Sequence, residues 1–250
     1  MTPPLQIISF PKSGRTWLRV MLDDIGAQTG FTHDGSDHQL RLPLAALEAD
    51  KSKYKGAKVL LLVRDPRDTA VSGYFQVTRR LKLADVSVSD ILRDERHGLR
   101  KICHFNLQWF AAATAWRKKQ FRILSYEQMH KMPAAALGEV AAFAGVTLDP
   151  NIAELIASNR AFARLRAAEA SGELAHRYGP YLLPGDRNDA ESFKVRRGVI
   201  GGYVDYLSEA DLSYCESVLA ETGYWAQLDR AMASWGFERL RSPSIGQAQQ

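Results

Sequence analysis

Three short apolar runs, separated by longer segments with helical patterning, constrain the fold of this chain most strongly. The runs cover residues 5–10, 59–63 and 121–126, and each is too short to be a core helix. The segments with apolar side chains at helical spacing are 16–28, 67–83, 134–144 and 209–222. Buried strands that alternate with helices are typical of a parallel sheet covered on both faces. The sequence therefore predicts an α/β fold, a three-layer sandwich with a central parallel sheet.

The length of the chain allows one large domain. With 250 residues, of which 46% are hydrophobic, it can bury a single substantial α/β core. We predict one domain over residues 1–240 and a flexible tail over residues 241–250. Residues 171–192 combine glycines and prolines with charged side chains, which predicts a long loop. Loops of this length often act as lids or bind substrate, with simple disorder as the alternative.

The basic composition is compatible with a site for anions. The formal net charge is +5 and the isoelectric point is about 9.2. A solvated basic surface explains this charge equally well. The basic residues are dispersed along the chain and match no nucleic-acid-binding motif, so we do not expect a nucleic-acid partner.

The two cysteines, Cys103 and Cys215, lie far apart and form no CxxC pair. This spacing argues against a disulfide framework or a structural zinc site and fits a reducing compartment. The sequence shows no signal-peptide pattern and no apolar run of the roughly 18 to 20 residues that a membrane helix needs. We therefore expect a cytoplasmic protein that does not insert into a membrane.

The first candidate binding motif is PKSGRTW at residues 11–17, where a strand passes into a helix. Backbone N–H groups at the start of a helix point outward at the positive end of its dipole and can hold a phosphate. Gly14 allows a ligand to approach the backbone closely, and Lys12 adds a mobile positive charge. The alternative is a tight turn with a solvated lysine and a serine or threonine N-cap. In a kinase or GTPase P-loop the lysine follows the last glycine, whereas here Lys12 precedes Gly14.

The second candidate motif is VRDPRDTAVS at residues 63–72, directly after the second apolar run. Open α/β sheets bind ligands at such strand ends. The planar guanidinium of Arg64 can bind a phosphate, and Ser72 lies two turns along the following helix. Alternatively, the two arginines of the motif only pair with its two aspartates.

The third candidate motif is FKVRRGVIGGY at residues 193–203. Arg196 and Arg197 are adjacent cations, and Gly198 offers an accessible backbone amide. The alternative is a basic turn at the surface.

In this order the three motifs resemble those of the sulfotransferases that use PAPS (3′-phosphoadenosine 5′-phosphosulfate). PKSGRTW resembles the 5′-phosphosulfate loop of that family, and VRDPRDTAVS resembles its 3′-phosphate motif. RRGVIGGY resembles the late RKGxxGDW segment, with Gly202 in place of the aspartate and Tyr203 in place of the tryptophan. Tyr126 matches a tyrosine that lies near the adenine, and Phe162 matches the phenylalanine that stacks on it.

The resemblance implies a P-loop NTPase-like sulfotransferase architecture. It also implies an enzyme that transfers a sulfuryl group from PAPS to a hydroxyl or amine by in-line displacement, releasing adenosine 3′,5′-bisphosphate (PAP), with no required metal. The donor-binding residues that it implies are Lys12, Ser13, Gly14, Arg15, Thr16, Trp17, Arg64, Ser72, Tyr126, Phe162, Arg196, Arg197 and Gly198. Lys12 is then also a catalytic residue, because it neutralises the bridging oxygen as that oxygen gains charge.

A hydroxyl that attacks sulfur also needs a base, and the resemblance implies a histidine after the first helix. His33, in FTHDG at residues 31–35, stands at the corresponding place. A histidine pKa near neutrality suits proton removal, and Asp34 or Asp37 can orient the ring. His38 is the alternative base.

Other functions stay open on the residues alone. They are a P-loop-type kinase, which the position of Lys12 disfavours, and a nucleotide-binding module without catalysis, which has no use for His33. The acceptor is a small molecule, a glycan or a lipid, and neither its identity nor the oligomeric state can be predicted. The aromatic residues that can line an acceptor pocket, or else belong to the core, are Tyr74, Phe75, Trp109, Phe110, Trp116 and Tyr181.

Overall fold

A computed structural model of the chain describes residues 5–117 and 119–233. Its centre is a sheet of four strands, β1 Leu5–Ser9, β2 Thr29–Thr32, β3 Lys58–Val63 and β4 Phe121–Ser125. All three strand pairings are parallel, and the order across the sheet is β2-β1-β3-β4. The predicted parallel sheet is confirmed. The three apolar runs became β1, β3 and β4, whereas β2 was not predicted.

The order of the strands creates a crevice at one edge of the sheet. The chain passes from β1 to β2 on one side and then returns to place β3 on the other side of β1. The connections that follow β1 and β3 therefore diverge to opposite faces. In open α/β sheets ligands bind at such a switch point, outside the carboxyl ends of the strands. The motifs at residues 11–17 and 63–72 follow these two strand ends.

The helices cover both faces of the sheet. They are α1 Arg15–Asp24, α2 Pro66–Phe75, α3 Val88–Arg93, α4 Leu99–Ala113, α5 Tyr126–Lys131, α6 Pro133–Ala144, α7 Pro150–Asn159, α8 Phe162–Ser171, α9 Glu173–Tyr178, α10 Glu209–Glu221 and α11 Tyr224–Ala233. The four predicted helices correspond to α1, α2, α6 and α10; α1, α2 and α10 end earlier than predicted, and α6 ends at the predicted residue. The second of them is the most shortened, because α2 gives way after Phe75 to a π-helical turn at Gln76–Arg80.

Alternate side chains of the strands build two separate apolar layers. Ile8, Leu61 and their neighbours pack with α2, α4, α10 and α11 in one buried cluster. Ile7, Leu60 and their neighbours pack with α1, α6 and α7 in another. Helices, sheet and helices thus form the predicted three layers. No described helix has the length and apolar content needed to cross a bilayer.

Local signals fix where the site-forming helices begin. Asp65 caps α2 by accepting the N–H of Arg67 at 2.9 Å, and Pro66 occupies the first helical position. At the end of β4, Ser125 and Gln128 form a capping box, so α5 starts without an intervening loop. Tyr126, the first residue of α5, is thereby held at the carboxyl end of the sheet.

The segment predicted as a long loop, residues 171–192, is only partly a loop. It contains α9 and short 3₁₀ turns at Pro180–Leu182 and Ala190–Ser192. Arg80 fixes it in place by forming an ion pair with Glu169 at 3.0 Å and by donating to the carbonyl oxygens of Tyr181 and Ser192. These contacts order a stretch whose composition alone favoured irregular structure. The predicted tail at 241–250 lies outside the described residues, and the domain bounds 1–240 stay a prediction.

Candidate active site

A cavity of about 910 Å³ opens at the carboxyl ends of β1 and β3. Residues from all three sequence motifs line it, together with both candidate bases, His33 and His38. The predicted site residues among its lining are Lys12, Gly14, Arg15, Thr16, Trp17, Arg64, Ser72, Tyr126, Phe162, Arg196, Arg197 and Gly198. Ser13 is the exception, since its side chain is buried and does not line the cavity. The cavity therefore joins segments nearly 190 residues apart in the sequence.

The loop after β1 has a backbone shape suited to an anion. Lys12 and Gly14 both have positive φ, 72° and 95°, and Gly14 is the N-cap of α1. The serine or threonine N-cap of the alternative interpretation is thus absent from this helix, and its first turn contains no acidic residue. The N–H groups at the start of α1 and the positive end of its dipole are left to interact with a ligand.

The ammonium group of Lys12 lies inside the cavity rather than in solvent. Its Nζ donates to Oε1 of Gln76 at 3.2 Å. Burial, followed by the nearby charges of Lys194 and Arg80, lowers the pKa of Lys12 well below its ordinary value. A bound anion would relieve this unfavourable concentration of positive charge.

Position 14 requires a glycine for two reasons, its positive φ angle and the close approach of the Tyr126 ring. A Cβ atom at position 14 would lie 2.5 Å from Cδ2 of Tyr126. The Tyr126 ring also packs edge-on against Trp17, with ring centroids 6.1 Å apart. The aromatic pair thus forms a wall directly against the loop at 11–17.

Arg64, at the end of β3, is fixed between the loop and the aromatic wall. Its guanidinium lies over the ring of Tyr126 at 4.4 Å and donates to the carbonyl oxygens of Lys12 and Val199 at 3.3 and 3.2 Å. Burial opposes its charge, but Asp68, whose carboxylate is 3.8 Å away, acts together with Tyr126, Glu127 and Asp65 to raise the pKa of Arg64. Arg64 stays charged at any physiological pH, as a phosphate ligand requires.

Asp68 links the second and third motifs. Its carboxylate accepts the backbone N–H groups of Gly201 at 2.8 Å and Tyr203 at 3.0 Å. Ser72 lies one turn further along α2 and faces the same cavity. The third motif is consequently held against α2 rather than left as a free surface turn. The aspartates of the second motif therefore act as more than partners for its arginines.

Arg196 and Arg197 differ from the expectation of two open cations. Arg196 donates to Glu191 at 2.7 Å and to the hydroxyl of Tyr206 at 2.7 Å. Arg197 forms an ion pair with Asp205 at 2.7 Å. Both side chains line the cavity, so a phosphate there has to compete with two carboxylates.

Gly198, next to this arginine pair, meets an aromatic ring and a histidine. The ring of Phe162 packs against its Cα, and Nε2 of His130 lies 2.7 Å from its carbonyl oxygen. His130 also packs against Trp17 and Tyr126. The rings of these residues are thus gathered on one side of the cavity, which can hold a purine base.

A single backbone contact orients the ring of His33, the first candidate base. Its Nδ1 lies 2.7 Å from the carbonyl oxygen of Ser9. Because a carbonyl oxygen only accepts, Nδ1 carries the proton and Nε2 of the neutral ring keeps a free lone pair. Burial, followed by the charge of Arg15, lowers the pKa of His33 to about 3. Asp37 is the nearer of the two predicted orienting carboxylates, at 3.8 Å from Nε2, whereas Asp34 forms ion pairs with Lys51 and Lys53.

His38, the alternative base, is more enclosed. Its ring is 4% exposed and packs edge-on against Phe10 and His97. Burial lowers the pKa of His38 well below its ordinary value. Neither ring nitrogen of His38 has a hydrogen-bond partner among the described residues. His38 therefore lacks the orienting contact that fixes the tautomer of His33.

Several lining residues were missed in the sequence analysis, among them Gln76, Arg80, His130 and Lys194. His130 stands four residues after Tyr126, a spacing that places both on one face of a helix. Lys194 begins the basic run that contains Arg196. Of the aromatic residues considered for an acceptor pocket, only Tyr181 lines this cavity. Trp109 and Phe110 are buried in the core. The described residues contain no group of three or more metal-ligating side chains.

The family can be established by comparison. The sulfotransferase domain family matches residues 41–225, which is more than half of the chain. The chain belongs to the sulfotransferase domain family. This confirms the resemblance, although the matched residues begin after the loop at 11–17 and after His33.

Individual relatives support the same family. A 3-beta-hydroxysteroid sulfotransferase of Cavia porcellus is 26% identical over 176 residues, covering 66% of this chain and 55% of that protein. Sulfotransferase 2A1 of Macaca fascicularis is 26% identical over 188 residues, covering 72% and 60%. Sulfotransferase 2A1 of Homo sapiens is 24% identical over 261 residues, covering 92% and 86%. The chain thus spans less than two thirds of the length of the first two relatives.

Solved sulfotransferase structures share the fold. The mouse sulfotransferase SULT7A1 in complex with PAP has a TM-score of 0.69 and 18% identity, covering 94% of this chain and 89% of that one. A retinol dehydratase in complex with androsterone and PAP has a TM-score of 0.66 and 16% identity, covering 88% and 80%. These similarities confirm the predicted architecture.

Proposed function

We propose that this protein transfers a sulfuryl group from PAPS to a hydroxyl group of a small-molecule acceptor. The observation that carries the proposal is the single cavity in which the loop at 11–17, Arg64 and the arginine pair surround an aromatic wall, with His33 beside the loop. PAPS carries a 5′-phosphosulfate and a 3′-phosphate at opposite ends of an adenosine, and cationic residues from three separate segments of the chain line the cavity. The similar structures are complexes with PAP, which supports the same donor.

Each part of the donor has residues suited to it. The start of α1 and Lys12 would hold the 5′-phosphosulfate, while Tyr126 and Phe162 would enclose the base. Arg64, Ser72 and the arginine pair would hold the 3′-phosphate. Two separate anion sites explain why a nucleotide with phosphate groups at both ends suits this cavity.

The residues beside the loop then perform the transfer. Nε2 of His33 accepts the proton of the acceptor hydroxyl as its oxygen forms a bond to sulfur. Lys12 stabilises the negative charge that appears on the phosphate oxygen as the old sulfur–oxygen bond breaks. An anionic donor beside Lys12 and Arg15 would also cancel part of the positive charge that lowers the pKa of His33, and so would make His33 a stronger base.

The acceptor class is supported mainly by the family. Two relatives are named for hydroxysteroids, so hydroxysteroids belong in a first acceptor screen with phenols, sugars and lipid alcohols. Either hydroxyl or amine sulfation is compatible with a base at His33. A cavity of about 910 Å³ has the size of a small-molecule site, which supports a small acceptor beside the nucleotide.

The decisive experiment is a binding comparison followed by a transfer assay. Calorimetry with PAP and with ATP should show tight binding of PAP only, because ATP has no 3′-phosphate for Arg64. Incubation with sulfur-labelled PAPS and the acceptor panel should then yield labelled product. Preferential ATP binding would favour the kinase alternative. PAP binding without transfer to any acceptor, including cell extract, would favour a non-catalytic binding module.

A further inference from the structure

The cationic side chains that line the cavity divide into two groups. Among the described residues seven lysines and arginines line it, and five of them have a polar partner. These five pairs are Lys12 with Gln76, Arg64 with Asp68, Arg80 with Glu169, Arg196 with Glu191 and Arg197 with Asp205. Arg15 and Lys194 have no side-chain hydrogen bond or ion pair within the described part of the chain.

Lys194 is the one of these two with no role in the donor site derived above. Its backbone N–H donates to Glu169 at 2.7 Å, which fixes the segment that carries it. Its ammonium lies 5.3 Å from the centre of the Tyr181 ring. Glu169 is fully buried and already binds Arg80, so it does not provide Lys194 with an ion pair. A buried ammonium without an anionic partner is costly, and this cost is recovered when an anion binds.

Lys194 lines the same cavity as Lys12 and His33. Its charge is the one with the largest effect on the pKa of Lys12, and it also acts on the pKa of His33. Lys12 faces the leaving group in the proposed reaction and His33 faces the attacking hydroxyl. Lys194 thus shares the cavity with both groups between which the sulfuryl group passes.

We propose that the ammonium of Lys194 binds the oxygens of the sulfuryl group as it passes from donor to acceptor. This inference rests on the proposed function. Lys12 and Lys194 then have separate tasks: Lys12 stabilises the oxygen that leaves, and Lys194 stabilises the non-bridging oxygens that stay on sulfur. Arg15 belongs to the donor loop, so Lys194 is the additional cation from a remote part of the sequence.

The transfer step balances without any other reactant. A lone pair of the acceptor oxygen forms the new bond to sulfur, and the electron pair of the old sulfur–oxygen bond stays on the phosphate of PAP. The hydroxyl proton moves to Nε2 of His33. Lys194 forms and breaks no bond and keeps its proton throughout. Its contribution is electrostatic.

A binding experiment tests this role without relying on turnover. The sulfuryl group distinguishes PAPS from PAP, so Lys194→Met should weaken PAPS binding about tenfold and leave PAP binding unchanged within about twofold. Lys55→Met, a change at an exposed lysine outside the cavity, is the matched control and should alter neither affinity. Unchanged PAP affinity also shows that the variant is folded. With saturating PAPS, Lys194→Met should lower kcat about 100-fold, as for the loss of one charge-stabilising donor.

The same experiment separates failure of this inference from failure of the proposed function. Wild-type protein that binds no PAP would overturn the proposed function. Wild-type protein that binds both nucleotides, with a Lys194→Met variant that keeps the same preference for PAPS over PAP, would overturn the role of Lys194 alone. Equal loss of PAP and PAPS affinity would overturn it too, because Lys194 would then act on the nucleotide phosphates.

The pH dependence of donor preference is a second readout. Burial, followed by Arg80 and Arg15, lowers the pKa of Lys194 to about 8. The other groups facing it are Lys12, Arg19, Glu169 and Tyr181. The preference of the wild-type protein for PAPS over PAP should therefore decline as the pH rises beyond about 8. Lys194→Arg, which stays charged, should keep the preference constant up to pH 9.5. If the preference for PAPS still declines with pH in Lys194→Arg, the titrating group is Lys12 rather than Lys194, and the proposal is contradicted.

Discussion

The ring of Phe162 lies directly against the Cα of Gly198, so that a Cβ at position 198 would come within 2.2 Å of the phenylalanine Cδ2. The glycine has a φ of 67°, and its carbonyl oxygen lies 2.7 Å from Nε2 of His130. The start of α8 and the third motif are therefore packed through one residue that has no side chain. This contact sets the position of the ring proposed to cover the adenine.

Gly198→Ala should displace Phe162 and weaken PAP binding at least tenfold. Gly26→Ala is a matched control, because Gly26 has the same φ of 67° but no neighbouring atom within 4 Å of an added Cβ. Both substitutions cost about 1–2 kcal/mol in backbone strain, and Gly198→Ala adds the cost of moving Phe162, so Gly198→Ala should lower Tm at least as much as Gly26→Ala. Only Gly198→Ala should change the affinity measured by calorimetry. Equal PAP affinities in the two variants would show that the packing of Phe162 is irrelevant to nucleotide binding.

His33→Ala should reduce kcat by 100-fold or more and leave PAP affinity within about twofold of the wild type. The reason is that a general base contributes about 10²–10⁴-fold, whereas Nε2 of His33 has no part in the proposed nucleotide contacts. His104→Ala, at an exposed histidine outside the cavity, is the control. His38→Ala measured beside it decides between the two bases. Wild-type turnover in His33→Ala combined with a large loss in His38→Ala would reverse the assignment.

The lowered pKa of His33 predicts an unusual acid side of the rate profile. A free-enzyme pKa of about 3 means that the ring is neutral, and able to accept a proton, at every pH above about 4. The kcat/KM for PAPS, which reports on the free enzyme, should therefore show no inflection near 6.5 between pH 5 and pH 7.5. The measurement is a series of initial rates over this range. An inflection near 6.5 that disappears in His33→Ala would mean that the imidazole is more solvated than the structure shows.

Arg64→Ala should weaken PAP binding by about 10- to 100-fold, because the guanidinium is fixed by its contacts with Tyr126, Lys12 and Val199. The effect should depend on the 3′-phosphate. Adenosine 5′-phosphate, which lacks that group, should lose much less affinity in the variant than PAP does. Arg100→Ala, at an exposed arginine paired with Glu221, controls for the loss of a positive charge from the surface. A similar loss for both nucleotides would assign Arg64 to another part of the ligand.

The buried carboxyl of Glu127 makes the stability of the folded state fall as the pH rises from about 4.5 to about 7. Burial raises the pKa of Glu127 to about 7, and its Oε1 accepts the N–H of Asp65 at 2.9 Å. The folded protein therefore keeps a proton between pH 4.5 and 7 that the unfolded chain has lost, and this stabilisation is lost as the pH rises through 7. At pH 8.5 the charged form costs about 3 kcal/mol relative to pH 4.5.

Glu127→Gln removes this titration and keeps an oxygen that can accept from Asp65. Its Tm relative to the wild type should therefore be higher at pH 8.5 than at pH 5. Thermal unfolding of both proteins at the two pH values gives the difference in Tm between the variant and the wild type at each pH. The other titrating groups are the same in both proteins, so their effects cancel in this difference. A Tm difference that does not vary with pH would show that Glu127 titrates normally.

The sequence predicts the parts of the fold that local pattern determines. The strands β1, β3 and β4 are continuous apolar runs, and the motifs after β1 and β3 lie in one stretch of chain each. Because parallel strands end at the same edge of a sheet, the anion loop and Arg64 could be expected to meet. The structure confirms that the three motifs line one cavity.

The edge strand β2 could not be predicted, because TGFT has one large apolar residue and lies at the border of the sheet. Its pairing with β1, which sets Phe31 opposite Ile7, depends on a long-range contact. This short strand nevertheless places His33 beside the carbonyl oxygen of Ser9. The contacts of the third motif could not be predicted either, since Asp68 and Tyr203 are 135 residues apart in the sequence.

The carboxylates that hold Arg196 and Arg197 have a consequence for ligand choice. Glu191 and Asp205 are 35% and 49% exposed, so both can turn outward to water when a phosphate replaces them. A nucleotide that ends in a bare ribose hydroxyl brings no charge with which to displace them. The carboxylates of Glu191 and Asp205 would then compete with the ligand for the two arginines, and only a nucleotide with a second phosphate would displace them. Part of the discrimination against abundant nucleotides such as ATP would therefore come from two side chains that do not contact the ligand.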